Sequence, residues 1–229
     1  MYLLQRSRLE ISDWRLNIMK SFTQITGIVA PMDRANVDTD LIIPKQFLKS
    51  IERTGYGPNA FFDWRYTDSG DPHPEFELNL PRFEGRSILV TRHNFGCGSS
   101  REHAVWALIQ DGYRVVISHW KETGGNRLQG FADIFRTNAI KNGLLVIEFS
   151  EDEVNAIFDL VDRHTGLQAV VDLDKQEVVF QGTTPLVLKF EIEPGAKEQL
   201  IKGLDDIDQT LLYEADITRF EKEYDPFGQ

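Results

Sequence analysis

The sequence predicts an α/β protein with a mixed sheet, and three stretches carry that reading. Residues 87–91 (Ser-Ile-Leu-Val-Thr) are an apolar run of strand length that enters a glycine-rich turn, after which Ala104, Val105, Leu108 and Ile109 fall at helical spacing. From 115 to 163 strand-like and helix-like segments alternate, the pattern of parallel strands joined by helical crossovers. Segments 169–173, 177–180 and 186–192 are separated only by turns, which adds antiparallel strands. With 229 residues, 41% of them hydrophobic, the chain is long enough to bury a core as one domain with tails.

Residues 1–18 are weakly patterned, and Met19 stands just before a strand-like segment at 22–29. The fold is therefore expected to begin near Met19, with 1–18 an N-terminal extension from an upstream start. Residues 36–44 are a polar turn and a short apolar run that Pro44 ends, and 45–51 read as a helical turn. The stretch 55–81, with Gly57, Pro58, Gly70, Pro72, Pro74 and Pro81, is an irregular excursion. Beyond the glycine turn come a strand at 115–118, a helix near 131–141, a strand at 144–148 and a helix near 152–163. Short amphipathic helices at 197–204, 207–212 and 215–224, acidic throughout, close the chain; an acidic helix of this kind is expected to present a solvated face. The expected division is 1–18, a domain over 19–195, and a helical tail over 196–229.

The bulk numbers exclude several functions. Acidic residues outnumber basic ones 36 to 25, a net charge of -11, which argues against backbone-driven nucleic-acid binding. No apolar run approaches the roughly 18–20 residues of a membrane span, and the charged N-terminal stretch is neither signal peptide nor anchor. Cys97 is the single cysteine: it excludes an intrachain disulfide, points to a reducing, cytoplasmic setting, and cannot by itself hold an iron–sulfur cluster or a cysteine-type zinc site.

The chemistry concentrates in Gly96-Cys97-Gly98-Ser99-Ser100-Arg101-Glu102-His103. Placed between strand and helix, this turn is expected to present Ser99 and Ser100 at a helix N-terminus, where unpartnered N–H groups and the helix dipole favour a carboxylate, a phosphate or a developing alkoxide. A plain serine N-cap is the simpler alternative. Cys97 reads either as a thiol activated by the helix start or as a small buried side chain, the commoner case. Asp38 and Asp40 fit a catalytic or ligand role and an Asx turn equally well. His73, His119 and His164 lack ligand spacing, so no metal site is expected in this chain.

Four separated segments carry a resemblance: Asn36-Val37-Asp38-Thr39-Asp40-Leu41-Ile42-Ile43-Pro44, Arg53-Thr54-Gly55, the run from Asn94 to Ala104, and Phe131-Ala132-Asp133-Ile134-Phe135 with Asn142-Gly143-Leu144-Leu145. In this order they resemble the bacterial small subunits of 3-isopropylmalate dehydratase. The Gly-x-Gly-Ser-Ser-Arg-Glu-His run resembles that of the swivelling domain of the aconitase superfamily. The resemblance implies a three-layer β/β/α swivelling domain with a mixed sheet. It also implies a hydro-lyase of leucine biosynthesis, acting on a small hydroxy dicarboxylic acid with a large subunit that carries a [4Fe-4S] cluster.

By the same resemblance Ser99 is the catalytic base, Ser100 and Arg101 hold a substrate carboxylate, and Leu48 and Lys49 lie in a substrate-selecting loop. Asp38, Thr39, Asp40 and His103 line the substrate site. The chain departs from the family pattern at 119–130, an intervening segment read as a surface insertion in which Gly124-Gly125-Asn126 form a flexible loop, with Gly130 where serine is usual. Two other readings stay open: a related isomerase of citraconate- or homoaconitate-type acids, and a stand-alone anion-binding or thiol enzyme using Cys97.

Overall fold

The computed structural model describes residues 19–49, 52–99 and 101–224. The extension expected at 1–18 lies outside the described residues. Strand β1 (Gln24–Met32) leads into a one-turn helix, α1 (Thr39–Ile42). A 3-10 turn at Lys45–Lys49, a further one at Gly57–Asn59 and the short α2 (Phe62–Arg65) follow, then two more 3-10 turns and β2 (Arg86–Thr91). Next come α3 (Glu102–Gln110), β3 (Val115–His119), the short strands β4 (Lys121–Thr123) and β5 (Asn126–Leu128), α4 (Asp133–Lys141), β6 (Leu145–Phe149) and α5 (Glu151–Arg163). Strands β7 (Gln168–Asp172), β8 (Glu177–Phe180) and β9 (Leu186–Lys189) precede three helices, α6 (Pro194–Lys202), α7 (Asp206–Leu211) and α8 (Glu214–Glu223).

Seven strands form one sheet in the order β6-β3-β2-β1-β7-β8-β9. The first four are parallel, with Ile88 opposite Val115 and Val115 opposite Leu145, whereas β1, β7, β8 and β9 pair antiparallel in that order, starting with Gln24 opposite Asp172. The expected α/β class with a mixed sheet is what the chain adopts. Every residue of β3 is buried, as a parallel strand covered on both faces must be, while the edge strand β9 buries only Leu188. Helix α5 packs across β1, β2 and β3. Its Ser150 and Glu153 form a reciprocal capping box, and Val154, Ile157 and Val161 face the core.

The excursion between β1 and β2 is tied down by charge. Arg65 donates to both Asp111 oxygens, at 2.7 and 2.6 Å, and Arg86 adds a third bond at 2.7 Å. Three largely buried charged side chains are thereby matched one against another at the C-terminal end of α3.

Two segments gain detail the sequence did not show. The intervening segment 119–130 carries a hairpin: β4 and β5 pair antiparallel, and Gly124 and Gly125, at φ 59° and 78°, make the two-residue turn between them, with Asn126 already in β5. Both strands are nearly all exposed, so no apolar alternation marked them in the sequence. The division drawn after residue 195 falls inside α6, where Leu200 is fully buried and its carbonyl accepts from Phe22 N–H at 2.9 Å. Beyond α6, Asp205 and Ile207 still line a groove with Met19 and Trp106, and α8 has no buried residue.

Candidate active site

The segments leaving the C-terminal ends of the neighbouring parallel strands β1, β2 and β3 meet above the sheet, the usual place for a site in an α/β fold. The segment after β1 is laced to the segment after β2. Asn36 N–H donates to the His93 carbonyl (3.0 Å), Gly96 N–H to Val37 (2.7 Å) and Thr39 N–H to Cys97 (2.9 Å). Thr39 Oγ1 then donates to the Ser99 carbonyl at 2.6 Å. From the other side the segment after β5 is joined in: Phe95 N–H donates to Gly130 at 2.8 Å, and Ala132 N–H to Phe95 at 3.1 Å.

Glycine is required at two places in the turn. Gly96 has φ +75°, and a Cβ there would lie 2.2 Å from Phe135 Cγ; Gly98 has φ +86° and sits against Asp38 Cβ. Gly130 is equally confined. A Cβ there would meet Glu148 Cγ at 2.9 Å and Ser118 Oγ at 3.0 Å, while its N–H donates to Glu148 Oε1. The departure from serine at this position is therefore accommodated by Glu148, and the start of α4 stays docked against the turn. Glu148 was not singled out in the sequence, because a lone acid in a strand carries no motif; Phe135 stood out only as the end of the Phe131–Phe135 segment, with nothing to mark its packing on Gly96.

The structure brings Asp38, Thr39, Asp40, Ser99 and Arg101 together. Asp38 caps α1, accepting from Leu41 N–H at 2.8 Å, so its Asx-turn role is realised. Arg101 pairs with Asp40 Oδ1, and Lys45 reaches Asp40 Oδ2 at 3.2 Å. Only one Arg101 nitrogen is engaged; among the described residues its other N–H groups have no hydrogen-bond partner. Ser99 is exposed, and among the described residues its hydroxyl has no hydrogen-bond partner. The N-cap of α3 is Arg101, with no side-chain capping bond, so Ser99, a candidate cap in the sequence, stands two residues ahead of the observed one. Ser100 lies outside the described residues.

The remaining candidates are placed differently. Leu48 is half-buried against the core and Lys49 exposed, both on the 3-10 turn that Lys45 begins and that Asp40 thereby links to Arg101. The ring of His103 packs edge-on to Tyr56 (5.3 Å between centroids) and against Trp106 (4.7 Å), with no hydrogen bond to Ser99, Thr39 or Asp40. Burial, with Arg101 assisting and Glu102 opposing, holds its pKa below the ordinary histidine value. The Cys97 thiol is pushed upward by burial and by the Asp38 carboxylate, against a smaller downward pull from a backbone hydrogen bond, the reverse of what a nucleophilic thiol needs. A groove of about 690 Å³ between Lys20, Arg53, Trp106, Arg114 and Asn142 touches the turn only at Glu102 and includes neither Ser99 nor Arg101. Gly98 and Ser99 are exposed.

A mixed sheet carrying a glycine-serine turn at its parallel strand ends defines an aconitase-type domain, and residues 19–152 match the family described as the aconitase C-terminal domain. Over 203 residues, 89% of this chain and 95% of the relative, the chain is 64% identical to the 3-isopropylmalate dehydratase small subunit of Desulforapulum autotrophicum. The solved 3-isopropylmalate dehydratase of Methanocaldococcus jannaschii aligns with a TM-score of 0.58 and 26% identity, over 87% of this chain and 99% of that one. The chain belongs to the aconitase C-terminal domain family and, within it, to the small subunits of 3-isopropylmalate dehydratase.

Proposed function

We propose that this chain works in the cytoplasm with a large subunit to interconvert 2-isopropylmalate and 3-isopropylmalate by dehydration and rehydration, a hydro-lyase step of leucine biosynthesis. The observation that carries the chemical reading is the setting of Ser99, whose exposed hydroxyl is unpaired among the described residues while its carbonyl is anchored by Thr39. Elimination takes a proton from a carbon next to a carboxylate and expels hydroxide, a poor leaving group. In this reading Ser99 Oγ takes the proton as its alkoxide and returns to the neutral hydroxyl. Arg101 supplies positive charge beside it and holds a substrate carboxylate with its free N–H groups, while Asp40 fixes the guanidinium plane.

Ser100 joins the carboxylate clamp, Asp38 and Thr39 hold the wall that carries Ser99, and Leu48 and Lys49 select the substrate side chain. His103 supports the start of α3 through Tyr56 and Trp106. The residues present do not fit an iron–sulfur cluster, since one cysteine cannot supply the several thiolates such a cluster needs. Among the described residues no group of three or more His, Cys, Asp or Glu is placed to hold a metal ion. We assign the [4Fe-4S] cluster to the large subunit. No helix among the described residues is long and apolar enough to cross a membrane, and the acidic balance of 36 to 25 disfavours nucleic acid as a partner.

The test is co-expression with the large subunit of the same organism, followed by assays on 2-isopropylmalate, citramalate and homocitrate. Turnover of 2-isopropylmalate in preference to the other two is the expected result. Ser99→Ala should pair normally and lose about 10²–10⁴-fold in turnover, the range for removing a positioned base. A variant that turns over at the wild-type rate removes Ser99 from the mechanism.

A further inference from the structure

The C-terminal helices present an apolar stripe that the body of the protein leaves uncovered. Tyr213, Ile217, Phe220 and Tyr224 follow one another at intervals of four, three and four, so they share one face of α8. They are 64%, 39%, 60% and 57% exposed, and Leu212 beside them is 64% exposed. No residue of α8 is buried, whereas α5 uses the same spacing at Val154, Ile157 and Val161 to reach the core. A helix stripe built to the pattern of a buried face, yet left exposed by the described residues, is a surface for another chain.

We propose that α7 and α8 form a docking arm whose apolar stripe seats in a groove of the large subunit rimmed by lysine and arginine. This rests on the functional reading above, which supplies the partner. Charge decides against a second copy of this chain. Over 205–224 there are seven acids (Asp205, Asp206, Asp208, Glu214, Asp216, Glu221, Glu223) against Arg219 and Lys222, so two arms repel, while a basic rim is attracted. Area decides the same way. One face of a helix about 15 Å long covers a few hundred Å², short of the roughly 800 Å² per partner of a stable interface. Such an arm holds only a chain that is also engaged elsewhere, as a large subunit closing over Ser99 is.

The experiment measures the dissociation constant of the chain from its large subunit, for wild type and for the double variant Ile217→Glu with Phe220→Glu, at low and moderate salt. The variant should bind at least about tenfold more weakly, the effect of losing two apolar anchors. Its thermal midpoint as an isolated chain should match wild type, because both side chains are exposed. Wild-type affinity should itself fall with added salt. Equal affinities for variant and wild type overturn the arm and leave the functional reading standing. An isolated wild-type chain that sediments as a dimer, with the variant monomeric, also overturns it. A wild-type chain with no affinity for the large subunit overturns the functional reading, and the arm with it.

Discussion

Thr39 Oγ1 donates a 2.6 Å hydrogen bond to the carbonyl of Ser99, 60 residues away, and so fixes the backbone that carries the proposed base. Thr39 is 2% exposed and sits on α1, whose own start is capped by Asp38. Thr39→Val keeps the shape and removes the donor. Its stability cost should be about 1 kcal/mol, since the exposed Ser99 can turn its carbonyl to water. Turnover of the reconstituted enzyme should drop by about tenfold or more through misplacement of Ser99, with KM little changed. Steady-state kinetics that return the wild-type kcat would show that this anchor does not place the serine.

Gly96 is the least replaceable residue of the turn. With φ +75° and Phe135 Cγ 2.2 Å from any added Cβ, Gly96→Ala combines backbone strain with overpacking. A loss of about 2–4 kcal/mol is expected in urea unfolding, and pairing with the large subunit should weaken with it. A midpoint within experimental error of wild type would mean that α4 can retreat from the turn at no cost.

Asp40 holds Arg101 with one oxygen and Lys45 with the other. Asp40→Asn preserves the shape and removes the charge, leaving two cations for the substrate and no carboxylate to orient them. The expected outcome is kcat lowered by about tenfold with KM unchanged or lower. A raised KM with an unchanged kcat would instead give Asp40 a direct part in binding substrate.

The stability of the isolated chain should depend on pH through two partly buried histidines. His103 and His93 are both held below the ordinary histidine value of 6.5, chiefly by desolvation. The unfolded chain therefore binds more protons in the window from about pH 6.5 down to the folded-state pKa values, and stability falls as pH drops through that window. Urea midpoints at pH 7.5 and 5.5 measure the loss, and His103→Gln should reduce it. An unchanged pH dependence in that variant would show that His103 stays accessible to protons in the folded state.

The strands and helices of the body were legible because their burial is periodic. Residues 87–91, 115–118 and 144–148 are apolar runs that became parallel strands, and Val154, Ile157 and Val161 repeat at helical spacing on α5. The hairpin at 121–128 was not legible, since strands exposed on both faces have no apolar alternation and only Gly124-Gly125 marked the turn. The stripe on α8 was visible as amphipathicity, but its pattern reads the same whether the face meets this chain's own core or another's.

The sequence by itself determined the residue types of the site: the two glycines, Ser99, Arg101 and the Asp38-Thr39-Asp40 run are local motifs whose chemistry depends only on which side chains are adjacent. Tertiary structure alone decided which of them work together. Thr39 reaches Ser99, Asp40 reaches Arg101, and Phe135 closes on Gly96 because the ends of β1, β2 and β3 converge above the sheet. It also turned His103 away to Tyr56 and Trp106, and left Ser99 exposed. Contacts between residues about 60 apart follow from strand order and register, and those are set by how the whole sheet buries its two faces.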